Sequence, residues 1–440
     1  MAEKDNTDAL HHKFRAGDDT EYEYPGRSPD ADWREAATER IDKYRKGDLE
    51  VHVTDDEGVP IEGVPVHVEM TKHAFGFGVE VDSDALIGQN EEMTEADTQQ
   101  FQKSFHKLFN KGTINDGFPP WKWDWGDGTN PETQIGFDGV QWLVNRDVPV
   151  HGHTILWMWP GRAAPEEILK TDDDTELRER MTEHAFEVAS ELAWGIDEWD
   201  VINHPVKMDG VWHERFDSDP SAWVEWLNAA REGDPEAKLF INEAAFRNDE
   251  ETERYRERYY DMIEYLLEED AEVDGVGFMG HFSPETLVPP EEALDRLDRF
   301  AEFGLEIQFT EYDFSDDWSD DEFPIEKAEQ LQADYTRDFY IYTFSHPAVT
   351  SVITWGIWEP THWRDRAAFF REDWSTRPVH DVYKELVFDR WWTEESGETD
   401  SVGSYELRGF KGEYIVQAIV DDKTRTATVT VDAGTNVVEL

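Results

Sequence analysis

Eight short apolar runs alternating with stretches of helical periodicity leave this chain few folds to adopt. The runs are Phe75–Val79, Gly112–Asn115, Val148–Leu156, Glu198–Asn203, Lys238–Ile241, Gly275–His281, Glu306–Tyr312 and Ser351–Trp358. The stretches between them carry helix signals. Leu177, Met181, Ala185, Val188 and Leu192 form one apolar stripe in Asp174–Leu192. Asp219-Pro220 reads as an N-cap followed by proline at the first helical position, and Ile325–Phe344 is a long amphipathic segment. Such an alternation predicts an α/β fold with parallel strands, a (β/α)₈ TIM barrel, whose usual size is about 250 residues. A doubly wound sheet is the competing arrangement, but no glycine-rich phosphate loop follows any of the runs.

The two ends read differently. Leu49–Val53 and Val64–Met70 alternate as strands around a turn-rich link, and Ser404–Leu407, Tyr414–Ile419, Ala427–Val431 and Asn436–Leu440 do the same in the tail. Each end has too few strands to bury a face alone, so both are expected to build one small accessory sheet beside the barrel. The expected organisation is a flexible acidic leader (1–36), an N-terminal β-hairpin (37–72), the barrel (73–390) and a C-terminal β extension (391–440).

Charge narrows the partners. Asp and Glu number 101 against 41 Lys and Arg, for a net charge of −60. The acids are spread along a chain that is 13% aromatic and holds 19 Trp, which is the composition of a folded protein with an acidic skin rather than of an acidic tail. The excess reads as halophilic, since salt screens such self-repulsion. It argues against a nucleic-acid partner and against an anionic membrane surface. No apolar run reaches the ~20 residues of a membrane span. Without cysteine there is no disulfide framework and no thiolate nucleophile. The first 30 residues lack the apolar core of a secretory signal, so the chain is expected either to stay inside the cell or to begin after a removed signal. A monomer is expected.

In a barrel of this type the site lies at the C-terminal strand ends. Here those ends carry His151-Gly152-His153, Asp200-Val201-Ile202-Asn203-His204, Asn242-Glu243, Gly280-His281, Thr310-Glu311-Tyr312-Asp313 and Trp355-Gly356-Ile357-Trp358-Glu359. Carboxylates among Trp, Asn and His suit sugar chemistry: flat rings stack on pyranoses, amides and imidazoles bond hydroxyls, and carboxylates work at the anomeric carbon. The order of Glu69–Gly78, Gly152–Trp157, Trp199–Asn203, Phe309–Asp313, Phe344–Pro347 and Ile353–Trp358, followed by a tail with Trp392-Thr393 and Arg408–Tyr414, resembles glycoside hydrolase family 10. That family is the endo-1,4-β-xylanases, and the likeness is to its branch with an N-terminal hairpin and a C-terminal β extension.

The resemblance implies a retaining hydrolase of a β-1,4-linked, xylan-type polysaccharide or oligosaccharide, with no cofactor and no metal. It implies Glu311 as nucleophile and His281 as the histidine that bonds it and helps keep it ionised. His153 and Asn203 match hydroxyl-binding positions, and Trp355 and Trp363 match the aromatic floor. Trp157 and Lys122 are further candidate substrate contacts. Trp121, Trp123, Trp125 and Trp159 also follow strand ends, whereas Trp194, Trp223 and Trp226 read as packing.

The departures are specific. The family's acid/base glutamate is replaced by His204, which makes an imidazole the candidate proton donor. That donor starts cationic beside an oxocarbenium-like transition state, whereas a protonated glutamate starts neutral. Strand alternation sets Glu198, Asp200 and Ile202 on one face and Trp199, Val201 and Asn203 on the other, so Glu243 and Glu359 are the better spare carboxylates. Arg is replaced by His151, and the family's sixth-strand glutamine by Met279. In Asn115–Trp123, one alignment keeps Lys122 and another keeps Asn115. A carbohydrate-binding pseudoenzyme is therefore the alternative reading. A metal-dependent hydrolase using His151, His153, His204 and His281 is a weaker one. His11-His12 and the acidic run Asp316–Asp321 read as a leader feature and a solvated loop.

Overall fold

The computed structural model describes residues 24–123, 131–207, 209–315 and 325–440. His11-His12, Trp125, the acidic run Asp316–Asp321 and most of the expected leader lie outside the described residues. Two strands come first, β1 (Lys46–His52) and β2 (Pro65–His73). Next are β3 (Gly76–Val81), β4 (Lys111–Ile114), β5 (Val150–Trp157), β6 (Glu198–Asn203), β7 (Lys238–Glu243), β8 (Gly275–Phe282), β9 (Glu306–Phe314) and β10 (Val349–Trp355). The tail holds β11 (Glu394–Glu398), β12 (Ser404–Phe410), β13 (Gly412–Val420), β14 (Lys423–Val431) and β15 (Thr435–Glu439).

β3 to β10 close into an eight-stranded barrel in chain order. All eight expected runs are its strands: Glu198–Asn203 matches at both ends, and the other ends differ by at most three residues. Some of the connecting helices start where short polar side chains satisfy the first amides. The Asp173 carboxylate accepts from Thr175 N (3.0 Å) and Glu176 N (3.2 Å) to open helix Asp174–Leu192, which buries Leu177, Met181, Ala185, Val188 and Leu192. Asp219 accepts from Ser221 N at 3.0 Å, but the cap of helix Ser221–Gly233 is Pro220, one residue later than expected; Trp223 and Trp226 of this helix are buried. Trp194, expected to pack, is 46% exposed. Among the described residues no helix is long and apolar enough to cross a membrane.

Residue contacts divide the chain into two units. One includes Phe77–Gln332 and Ala348–Pro378; the other is Gly26–Gly76, Ala333–Pro347 and Val379–Leu440. The second unit joins both chain ends, as expected, but in two sheets: β12-β1-β15 and β11-β2-β13-β14. β1 and β2 do not form the expected hairpin. Each pairs with tail strands instead, β1 with β12 and β15, and β2 with β11 and β13. Alternation reveals which face of a strand is buried, not which edge is paired. Helix Trp33–Arg45, which begins inside the expected leader, belongs to this unit. It is fastened by Arg34 to Asp338 (2.8 Å) and by Arg45, which donates to the carbonyls of Phe344 and His346 at 2.6 Å each.

A bulge in β6 corrects the expected alternation. The register of β6 with β7 shifts between Asp200 and Ile202, two residues of β6 standing against one of β7. Glu198 and Asp200 point into the barrel, and the extra residue brings Asn203 to the same side. There, Asn203 meets His153 and Asn242. Outside, the Trp199 ring lies against the bare backbone of Gly152, and a Cβ added at Gly152 overlaps that ring. Gly152→Ala is therefore expected to destabilise the fold by about 1–3 kcal/mol in urea denaturation. An unchanged midpoint contradicts this packing.

Candidate active site

A cavity of about 390 Å³ opens where the barrel strands end. Glu311, His204, His153, Asn203, His281, Trp157, Lys122, Trp355 and Trp363 all line it. Asn115 lines it as well, so the two alignments of Asn115–Trp123 both contribute a wall residue. Lys122 reaches back to Asp116 at 3.2 Å.

Glu311, on β9, is 5% exposed, with both oxygens held. Its Oε1 accepts from Asn242 Nδ2 at 2.9 Å, and its Oε2 pairs with His281 Nε2 at 2.8 Å. The other His281 nitrogen, Nδ1, bonds Asp313 at 2.9 Å. Asp313 is fixed in turn by Arg364 Nη1 (2.6 Å) and Trp363 Nε1 (2.9 Å). Burial alone lowers the pKa of an imidazole, but the charge and hydrogen bond of Asp313, with Glu311, outweigh it and raise His281 to about 9. Burial likewise raises a carboxylic acid. The His281 hydrogen bond and the nearby His153, His281 and His204 nonetheless hold Glu311 below its ordinary value. Asp313 falls to about 2, burial being overcome by His281 and Arg364. Glu311 is thus an anion at neutral pH, placed in a cavity large enough for sugar rings.

His204 follows the end of β6 with φ +51°, and its amide donates to Asn242 O at 2.8 Å. Its Nδ1 lies 2.9 Å from Glu243 Oε1. Glu243 is the main correction to the expected site. It is wholly buried and does not line the cavity. Its oxygens also accept from the amides of Ala244 (2.7 Å), Val206 (2.9 Å) and Lys207 (3.0 Å). Despite burial, the His204 hydrogen bond and charge and those amides keep Glu243 below its ordinary pKa. An ionised Glu243 cannot donate a proton, and it accepts from His204 Nδ1–H. The ring's other nitrogen, Nε2, is then the one whose protonation can change. Glu359 is no spare acid either, since it does not line the cavity and pairs with Arg377 at 2.6 Å.

Aromatic rings complete the walls. Trp355 meets His153 edge-on at 5.2 Å, Trp363 meets His281 at 4.7 Å, and Trp157 lies 5.4 Å from the His204 ring. Trp363 is 61% exposed, a ring free to stack at the rim. His151 sits deeper, wholly buried between Glu198 (3.3 Å) and Asp200 (3.1 Å). Asp200 also holds His153 Nδ1 at 2.8 Å. Among the described residues no set of three or more His, Asp or Glu is arranged to hold a metal.

Several residues were not singled out from the sequence. Asn242 joins Glu311 to Asn203, and Asp313 and Arg364 support His281. Arg162, Lys207 and Arg247 also line the cavity. Asp313 was legible as the residue two after Glu311 on one strand face. Asn242 was legible beside Glu243 at the same strand end.

The family model for glycosyl hydrolase family 10 matches residues 69–386. Anti-sigma-I factor RsgI6 of Acetivibrio thermocellus is 28% identical over 89% of this chain and 47% of its own length. Endo-1,4-beta-xylanase 1 of Arabidopsis thaliana is 23% identical over 88% of this chain and 38% of its own. The chain thus spans less than half the length of these two relatives. In fold, it is similar to the crystal structure of xylanase 10B from Thermotoga petrophila RKU-1 in complex with xylobiose, with a TM-score of 0.62. That similarity comes at 21% identity over 72% of this chain and 95% of the other.

Replacing His281 with Gln removes the cation beside Glu311. The Glu311 pKa is expected to rise by about 1 or more, read by carbon-13 NMR titration of its carboxyl. An unmoved value contradicts the pairing.

Proposed function

The chain belongs to glycosyl hydrolase family 10, and from that premise we propose that it hydrolyses a xylan-type β-1,4-linked polysaccharide with retention, using Glu311 as nucleophile and His204 as proton donor. The observation that carries this reading is the pair of buried dyads on one cavity: an ionised Glu311 held by His281 and Asn242, and an imidazole anchored by the buried carboxylate of Glu243.

In the first step Glu311 attacks the anomeric carbon. The C–O bond to the leaving sugar breaks, and the proton on His204 Nε2 passes to that oxygen. In the second step neutral His204 Nε2 takes a proton from water, whose oxygen displaces Glu311 from the anomeric carbon. His153 and Asn203 bond ring hydroxyls, and Trp355 and Trp363 face the sugar plane.

Charge favours this substitution. A lone imidazolium opposes an oxocarbenium-like transition state. His204 is paired with Glu243, however, and the protonated pair carries no net charge, just as a protonated glutamic acid carries none. After transfer, the pair carries −1, as a glutamate does.

General acid catalysis contributes about 10²–10⁴-fold, most where the leaving group is a sugar. His204→Ala is expected to lose about that factor on xylan and much less on a nitrophenyl glycoside, whose leaving group needs no proton. Azide is expected to restore turnover with a β-configured glycosyl azide. Glu311→Gln is expected to abolish both reactions. If the parent protein binds xylo-oligosaccharides but leaves even nitrophenyl glycosides intact, the hydrolase reading falls and a carbohydrate-binding pseudoenzyme replaces it.

A further inference from the structure

The charge of the cavity runs against the charge of the chain. Acids outnumber bases 101 to 41 in the sequence. Yet the cavity lining includes Lys122, Arg162, Lys207 and Arg247 against a single carboxylate, Glu311. Two of the four cations are already engaged: Lys122 faces Asp116, and Arg247 has Asp249 at 3.6 Å from Nε. That Arg247 Nε is buried and makes no hydrogen bond. For Lys207 and Arg162 no carboxylate lies within ion-pair distance among the described residues. Arg162 lies over the Trp121 and Trp157 rings, 4.4 and 5.5 Å from their centres, which fixes its guanidinium plane at the rim.

Lys207 and Arg247 stand on neighbouring loops, after β6 and β7. Lys207 is half-buried, and burial together with the Arg247 charge weakens its hold on its proton, against the pull of Glu243, Glu251 and Asp249. Bringing like charges together and partly desolvating them costs free energy. An anion seated between them offsets that cost. A planar carboxylate matches the Arg fork, and Lys supplies a point charge beside it.

Resting on the polysaccharide reading above, we infer that the cavity takes a chain bearing uronic acid branches, whose carboxylate is bound by Lys207 and Arg247, with Arg162 as a third cation at the rim. The acidic excess of the chain disfavours acidic polymers in general, and the cations at this mouth give the branch a local attraction that orients it as it arrives.

The test uses the full chain carrying Glu311→Gln, so that nothing is cleaved. Calorimetric titration compares three xylo-oligosaccharides of equal backbone length: unbranched, branched with glucuronic acid, and the same branched compound with its carboxyl reduced to a hydroxymethyl group. At one salt concentration the acid-branched form is expected to bind about tenfold or more tighter than the reduced form, as a charge-assisted hydrogen bond supplies. Adding Lys207→Met and Arg247→Gln is expected to bring that ratio close to one. Equal affinity for the acid and reduced forms overturns the inference and leaves the hydrolase reading standing. A ratio unchanged by the two added substitutions overturns the assignment to these residues. Absence of binding by all three compounds overturns both readings. The first comparison needs neither cation variant, so misfolding of the variants does not shelter the claim.

Discussion

Burying ionisable groups is costly unless each meets a partner, and this barrel meets that requirement with one continuous chain in which carboxylates alternate with basic side chains. Lys111 pairs with Glu198 at 2.7 Å, Glu198 with His151 at 3.3 Å, and His151 with Asp200 at 3.1 Å. Asp200 pairs with His153 at 2.8 Å, and His153 approaches Glu311 at 3.8 Å. From Glu311 the chain runs to His281, Asp313 and Arg364. Gln308 adds a hydrogen bond to Glu198 at 3.0 Å. Breaking one link leaves a buried charge uncompensated, which costs more than the link itself contributes. The same chain fixes the protonation pattern along its length: His151 in its lower part and His281 in its upper part are both raised to about 9, and Glu311 is kept ionised. The fold and the chemistry therefore rest on one set of contacts.

How much of this was legible in the sequence follows from what each signal encodes. Parallel strands buried on both faces read as compact apolar runs, so all eight barrel strands were visible, and their polar ends marked the cavity. The resemblance located Glu311, His281, His153, Asn203, Trp355 and Trp363, and all of them line one space. Where the reading missed, pairing and packing decide rather than pattern. Strict alternation put Asn203 opposite Asp200, and a single bulged residue in β6 brings both to the interior. Glu243 looked like a spare acid because a carboxylate at a strand end is ordinarily exposed, whereas three backbone amides and His204 absorb it here. The N-terminal strands looked like a hairpin because they are neighbours in sequence, and long-range pairing with the tail overrides that. β11 has an exposed, charged sequence, Glu-Glu-Ser-Gly-Glu, with no apolar alternation to reveal it.

The His204 imidazole does not stand alone: the buried Glu243 carboxylate on the next strand lies 2.9 Å from its Nδ1 and fixes the orientation of the ring. The motif Phe344-Ser345-His346-Pro347 has a different job, since its carbonyls receive Arg45 and its Phe344 ring stacks on Trp391 at 4.2 Å. It holds the unit built from the two chain ends rather than the reacting centre, so motifs of equal specificity in sequence serve separate physical ends.

As the proposed nucleophile, Glu311 forms a covalent bond to the anomeric carbon. Incubating the protein with a 2-deoxy-2-fluoro-xylobioside bearing a good leaving group, then digesting it and sequencing by mass spectrometry, reads that bond directly. One fluoroxylobiosyl adduct is expected, carried by Glu311. An adduct on a different carboxylate, or leaving-group release with no adduct under conditions where the sugar binds, contradicts it.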